Sequence, residues 1–284
     1  MKRLSHLAAV LALLTASNAF AQDLDVVLVT DSGAADPLNG FINSTFTNIN
    51  SFTIGNFTNA NGDAGQAATL SAADVIVVSR DTNSGNYDDG SGAEMDFWNG
   101  LSGSILLSNG YISRNSRWDW VASGDVDAVS AAGSESNILD AGSQLLAGVD
   151  TTGGSLDLFD DSIGNIDQII DSASVGDGNV VLDDGGSHII LASWEAGDAL
   201  PLNGPGSVSN FGGDRILFGM DTPSSITQFT ADGEQVFIDA LASFGLQSPR
   251  ATSTAAPEPA SVAIWSLIGL GLAGLGYYRA RRKQ

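Results

Sequence analysis

Two apolar patterns alternate along this chain. Val26 to Val29, Val75 to Ser79, Ile105 to Leu107, Ile189 to Trp194 and Arg215 to Met220 are short runs with almost no polar face. Such runs predict strands covered on both sides. Between the first of them and the next, Leu38, Phe41, Ile42, Thr45, Phe46 and Ile49 recur at helical spacing behind Asp36-Pro37, the expected pair for a helix cap and first turn. Phe52 to Phe57 reads as a strand. Ser91 and Glu94 predict a capping box for a helix carrying Phe97, Trp98 and Leu101. Asp232 is expected to cap a last helix with Val236, Phe237, Ala240, Leu241 and Phe244 on one face, stopped by Gly245. The middle, 121–187, has a weaker pattern: Ala128 to Leu146 reads as helical, and Leu156 to Phe159 and Val180 to Leu182 as short strands.

Both ends of the chain depart from this alternation. Lys2 and Arg3, an apolar stretch from Leu7 to Leu14, and Ala19-Phe20-Ala21 have the layout of a secretory signal peptide cleaved after Ala21. At the other end Pro257-Glu258-Pro259 precedes an uncharged run over 260–278 and a basic tail over 279–284. A helix over that run would be about 28 Å long, enough to span a bilayer core of about 30 Å, with the basic tail on the cytoplasmic side. Residues 22–247 are then an exported domain and 248–256 a linker.

The C-terminal arrangement resembles the PEP-CTERM sorting signal of Gram-negative bacteria. That resemblance implies an exosortase as partner, membrane insertion before processing, and delivery to the cell surface or its exopolysaccharide. The sorting residues it implies are Pro257, Glu258 and Pro259.

Charge narrows the function classes. The body, 22–256, has five arginines and no lysine against 32 acidic residues, a net charge of −27. This repels nucleic acid. Of the acids 28 are Asp, many beside Gly, Asn and Ser. That chemistry suits calcium or magnesium and equally suits tight turns. The absence of cysteine excludes disulfides, thiolate metal sites and a cysteine nucleophile.

Strands alternating with amphipathic helices predict an α/β fold, doubly wound around a mainly parallel sheet, with an inserted lobe in the middle and one C-terminal transmembrane helix. The early βα units, Ile105 to Tyr111, and Arg215 to Gly219 followed by Phe229-Thr230 resemble the flavodoxin-like domain of class I glutamine amidotransferases and their noncatalytic trehalose-utilisation relatives. Amidotransferase activity does not carry over, because Ser108 and Asn109 stand where the catalytic cysteine is required.

Three groups of residues could carry chemistry. Asp31 and Asp81 follow strands expected to be adjacent, so both carboxylates would reach the carboxyl edge of the sheet and could share Ca²⁺ or Mg²⁺. His188 is the body's single histidine, and a serine hydrolase would need it as base with Ser108 or Ser113 as nucleophile and Glu195 or an Asp to orient it, although no Gly-x-Ser-x-Gly elbow surrounds Ser108. Tyr111, Arg114, Arg117, Trp118 and Trp120 form one aromatic and basic cluster, suited either to a sugar or peptide groove or to covering the sheet. The function expected is a noncatalytic binding or structural component of the surface. The alternatives are an extracellular hydrolase of carbohydrate or ester, and a calcium-dependent adhesion module.

Overall fold

The computed structural model describes residues 22–249 apart from 88–89, 131–134, 161–164, 171–174, 187 and 221–222. The chain opens with β1 (Leu24–Val29), α1 (Pro37–Thr45), β2 (Ile49–Gly55), α2 (Ala64–Ala72) and β3 (Val75–Val78). It continues through α3 (Ala93–Gly100), β4 (Ser104–Leu107) and α4 (Gly110–Ser113). Five strands follow without an intervening α-helix: β5 (Val126–Ser130), β6 (Ser136–Ile138), β7 (Ser155–Leu156), β8 (Asn165–Ile170) and β9 (Asn179–Asp183). The last elements are β10 (His188–Trp194), β11 (Arg215–Phe218) and α5 (Ala231–Ser243).

All eleven strands belong to one sheet. Its main path runs β2-β1-β3-β4-β11-β10-β9-β6-β7, with β5 and β8 branching from β10. Pairings from β2 to β11 are parallel, and every pairing beyond β11 is antiparallel. Ile189 pairs with Asp183 on one flank and Ile169 on the other, so β8 lies on the flank of β10 that β11 also occupies.

This mixed architecture corrects the expected fold. The parallel strands are only part of the sheet, the helices are few and short, and the middle of the chain adds antiparallel strands to the same sheet instead of folding as an inserted lobe. The flavodoxin-like assignment therefore does not describe the molecule. The helix expected over 128–146 is replaced by β5, β6 and a single 3₁₀ turn at Gln144–Leu146, because pairing with β8 and β9 outweighs the helix propensity of an alanine-rich stretch. Among the described residues no helix is long and apolar enough to cross a membrane; the run 260–278 lies outside them, as do Ala19, Ala21 and the sorting tripeptide.

Side-chain alternation along β1 explains the parallel half. Val26 and Leu28 face one core with Leu38 and Ile42 of α1 and Phe237 and Leu241 of α5. Val27 and Val29 face the other, with Leu70 of α2 and Trp98 of α3. Asp36 caps α1 by accepting from Leu38 N–H at 2.9 Å, with Pro37 in the first turn. Two other expected caps shift. Thr230, not Asp232, caps α5, and α3 starts behind Gly92 in the left-handed region while Glu94 accepts from Trp98 Nε1–H at 2.6 Å.

Candidate functional site

The carboxyl edge of the parallel strands collects most of the residues singled out by sequence. β2 and β3 flank β1, so the connections leaving β1 and β3 diverge to opposite sides, the position at which open α/β sheets usually bind ligands. Asp31 and Asp81 meet there. Asp31 N–H donates to the Asp81 carbonyl at 2.8 Å, Asn83 N–H donates to Asp31 Oδ2 at 2.9 Å, and Ser32 Oγ–H donates to Asp81 Oδ2. Thr30 Oγ1–H donates to the cap residue Asp36 at 2.6 Å. Burial, followed by the charges of Asp36 and Asp31, pushes the Asp81 carboxyl above the usual range. The two carboxylates are thus brought together and cross-link the strand ends. Among the described residues no group of three or more His, Cys, Asp or Glu converges on a position for a metal ion.

Next to them, Asn109 ties β4 to β3. Its side-chain oxygen caps α4 by accepting from Tyr111 N–H at 3.0 Å, and its amide donates to the Thr82 carbonyl at 2.7 Å. Tyr111 is then held by two guanidinium groups, Arg80 at 5.3 Å and Arg114 at 5.2 Å from the ring centre. Arg114 donates to the Tyr111 carbonyl at 2.8 Å, and Arg117 to the Ser84 carbonyl at 2.9 Å. Burial and the neighbouring Arg117 lower the Arg114 pKa.

The sequence cluster therefore divides. Tyr111, Arg114 and Arg117 are half-buried at the edge, joined by Arg80, which sequence reasoning left out. Trp118 and Trp120 are fully buried. Trp118 stacks on Trp98 with ring centres 4.6 Å apart, and Trp120 donates from Nε1 to Asn99 Oδ1 at 2.9 Å. Both indoles belong to the core and offer no face to a ligand.

Ser108 and His188 are engaged differently. Ser108 is wholly buried and its Oγ has no hydrogen-bond partner, so no nucleophile–base bond joins it to His188. The His188 ring pairs through Nδ1 with Asp184 Oδ2. Burial raises the Asp184 pKa, but the bonds from His188 and Gly186 outweigh it and leave the carboxyl below its ordinary value.

The opposite, amino edge holds a feature that sequence reasoning missed. A cavity of about 550 Å³ opens where β10 ends and β11 begins, lined by residues from five separate stretches of chain. Its acids are Asp140, Asp177, Glu195, Asp198 and Asp214. Arg215 also lines it, although fully buried. The guanidinium donates to the carbonyls of Gly103 at 2.9 Å and Leu101 at 2.7 Å and reaches those of Trp98 and Asn99, thereby closing the C-terminal end of α3. Burial brings its pKa down to about 9, opposed by Asp214. The sequence signal was an arginine opening an apolar strand, but the partners, mostly backbone carbonyls, leave no pattern in the sequence.

The comparison that finds a match concerns a segment outside this body. Residues 255–283 match the PEP-CTERM protein-sorting motif, which implies an exosortase-sorted surface protein. No curated protein and no solved structure shows a significant match to the chain.

Proposed function

We propose that this chain is a noncatalytic binding or structural component of the cell surface, exported with cleavage after Ala21, processed by an exosortase at Pro257-Glu258-Pro259, and held in the surrounding exopolysaccharide. The sorting motif at 255–283 is the observation that carries this reading. The noncatalytic part is supported by Ser108, whose buried hydroxyl bonds to no base, and by His188, whose ring is committed to Asp184. The body's charge of −27 supports a partner other than nucleic acid.

The test replaces Pro257, Glu258 and Pro259 with alanine in the full chain and follows surface exposure by protease accessibility and mass. The variant is expected to accumulate unprocessed and to be lost from the surface. Wild-type processing and exposure in the triple variant would remove the reading. Ester or glycoside turnover abolished by both Ser108→Ala and His188→Ala would instead reinstate a hydrolase. A second reading, in which Asp31 and Asp81 share Ca²⁺ or Mg²⁺, is favoured by their meeting at one edge. Its signature is a rise in Tm at low divalent concentration that disappears in Asp31→Asn.

A further inference from the structure

Asp119 and the loop after Leu200 hold an arrangement that neither the sorting motif nor the strand-end carboxylates use. Asp119 is buried, and its Oδ2 accepts from two consecutive backbone N–H groups, Asn203 at 2.8 Å and Gly204 at 2.9 Å. Its Oδ1 is buried without a hydrogen-bond partner. Asp119 at φ 56° and Leu202 at φ 58° both lie in the left-handed region, which residues with a Cβ adopt where the surroundings hold a local arrangement in place. We propose that Asn203-Gly204 is a self-modification site, at which Asp119 is the base for closure of the Asn203 side chain onto the Gly204 nitrogen as a succinimide. This inference is independent of the surface role.

The step uses only this loop, Asp119 and water. The carboxylate takes the proton of Gly204 N–H, and the Gly204 nitrogen attacks Asn203 Cγ to form the ring C–N bond. The Cγ–Nδ2 bond then breaks, and Nδ2 leaves as ammonia with the proton that Asp119 returns. Water opens the ring at either carbonyl, leaving an aspartyl or isoaspartyl residue at position 203. Burial pushes the Asp119 carboxyl pKa up against its two backbone bonds, which makes the carboxylate a stronger base. Asn203 is exposed, and its amide donates to the Pro201 carbonyl at 3.3 Å, a long bond that lets the side chain turn. Gly204 is packed so closely that a Cβ would lie 2.5 Å from the Asn115 carbonyl oxygen, which holds its nitrogen over Asp119. Ring closure consumes the Gly204 N–H, so Asp119 loses one of its two donors. Beyond that point the loop stays tied through Asp96, which accepts from Ser207 N–H at 2.6 Å and Val208 N–H at 2.8 Å.

The chain has five Asn-Gly pairs, and the fold separates this one from the rest. Gly40 and Gly100 lie within α1 and α3, where the helical backbone turns the glycine N–H along the axis and away from the preceding side chain. Asn109 is buried, with its oxygen and its amide both engaged. Gly62 N–H donates to the Asn59 carbonyl at 3.1 Å, a far weaker base than a carboxylate. Among the described residues, Gly204 alone of the five glycines gives its N–H to a carboxylate.

Incubation of the full chain at neutral pH tests this, with peptide mass mapping to read ammonia loss and isoaspartate at position 203. Asn61-Gly62 in the same molecules is the internal reference. In the folded chain Asn203 is expected to react at least about tenfold faster than Asn61, and in denaturant at the same rate. Asp119→Asn keeps an acceptor for both N–H groups but no base, and should remove the advantage. Asp96→Asn loosens the loop without touching Gly204, and should leave it. Reaction no faster than at Asn61 in the folded chain overturns the assignment, as does an advantage that survives denaturant or Asp119→Asn. Loss of the advantage in Asp96→Asn overturns it too, since loop geometry and not a base would then set the rate. If Asp119→Asn does not fold, the folded and denatured wild-type chains decide the matter by themselves.

Discussion

Every residue of β3 is buried between two helix-covered cores, whereas β6 and β7 pair over two residues and lead into Leu139, half exposed at 51%. The first arrangement depends on contacts from both faces and from chain segments far apart. The second depends on strand neighbours linked by turns. The comparison teaches that one sheet can have a parallel side buried on both faces and an antiparallel side whose outer strands, β6 and β7, pair over only a few residues, and that the boundary is a single strand. β11 pairs in parallel with β4 on one side and antiparallel with β10 on the other. Arg215, its first residue, also binds the end of α3, so both halves depend on it.

The largest expected effect breaks that boundary. Arg215→Ala strands several buried carbonyls and empties a large buried volume, and should cost about 4 kcal/mol or prevent folding, read from denaturant unfolding. A result below about 1 kcal/mol would mean that the two halves hold together without it.

A paired truncation sharpens the comparison. Leu106→Ala in central β4 should cost about 3 kcal/mol, and Leu156→Ala in edge β7 about 2 kcal/mol, although both residues are buried. The edge site can relax more freely. Amide exchange should follow the same order, slowest in β1, β3 and β4 and fastest in β6 and β7. Equal protection would contradict the contrast.

Ser108→Ala acts in the other direction. It removes a buried hydroxyl that has no partner, so it should be neutral or stabilising by up to about 1 kcal/mol. A marked loss of stability would reveal a bond this structure does not contain.

The smallest effect is the pH response. Burial raises the carboxyl pKa values of Asp119 and Asp239, and burial with neighbouring charge raises that of Asp81. A raised folded-state acid binds its proton more tightly than the unfolded chain does, so its stability contribution is present at low pH and lost as pH rises through the folded value. The Tm should therefore gain from these groups as pH is lowered from neutrality toward the ordinary carboxylate range, about 4. Below about pH 4 the lowered pKa of Asp184 acts oppositely, its contribution falling as the carboxylate takes a proton. Asp119→Asn should reduce the gain on lowering the pH from neutrality; an unchanged profile would place the effect elsewhere.

Legibility follows the same division. The central strands β1, β3, β4, β10 and β11 were readable because burial on both faces forces a nearly continuous apolar run. Helix α1 was readable from Asp36-Pro37 and a spaced apolar stripe. Helix α2 was not: only Leu70 is buried, and its cap Asp63 stands among loop-like Asn and Gly residues. The sequence showed Asp31 and Asp81 at one edge but could not separate Tyr111 and its arginines from Trp118 and Trp120, because adjacency in the chain does not say which rings find a core.

By itself the sequence determined the sorting motif, the acidic charge and the absence of thiol chemistry, since each is fixed by residue identity in a short stretch. It also determined the apolar central strands, because their pattern is local. The tertiary structure alone decided that 126–183 joins the sheet as antiparallel strands, that Arg215 is buried against carbonyls of α3, and that five distant stretches enclose one cavity. Those outcomes depend on pairing and packing between residues far apart in the chain, where competition among long-range contacts overrides local propensity.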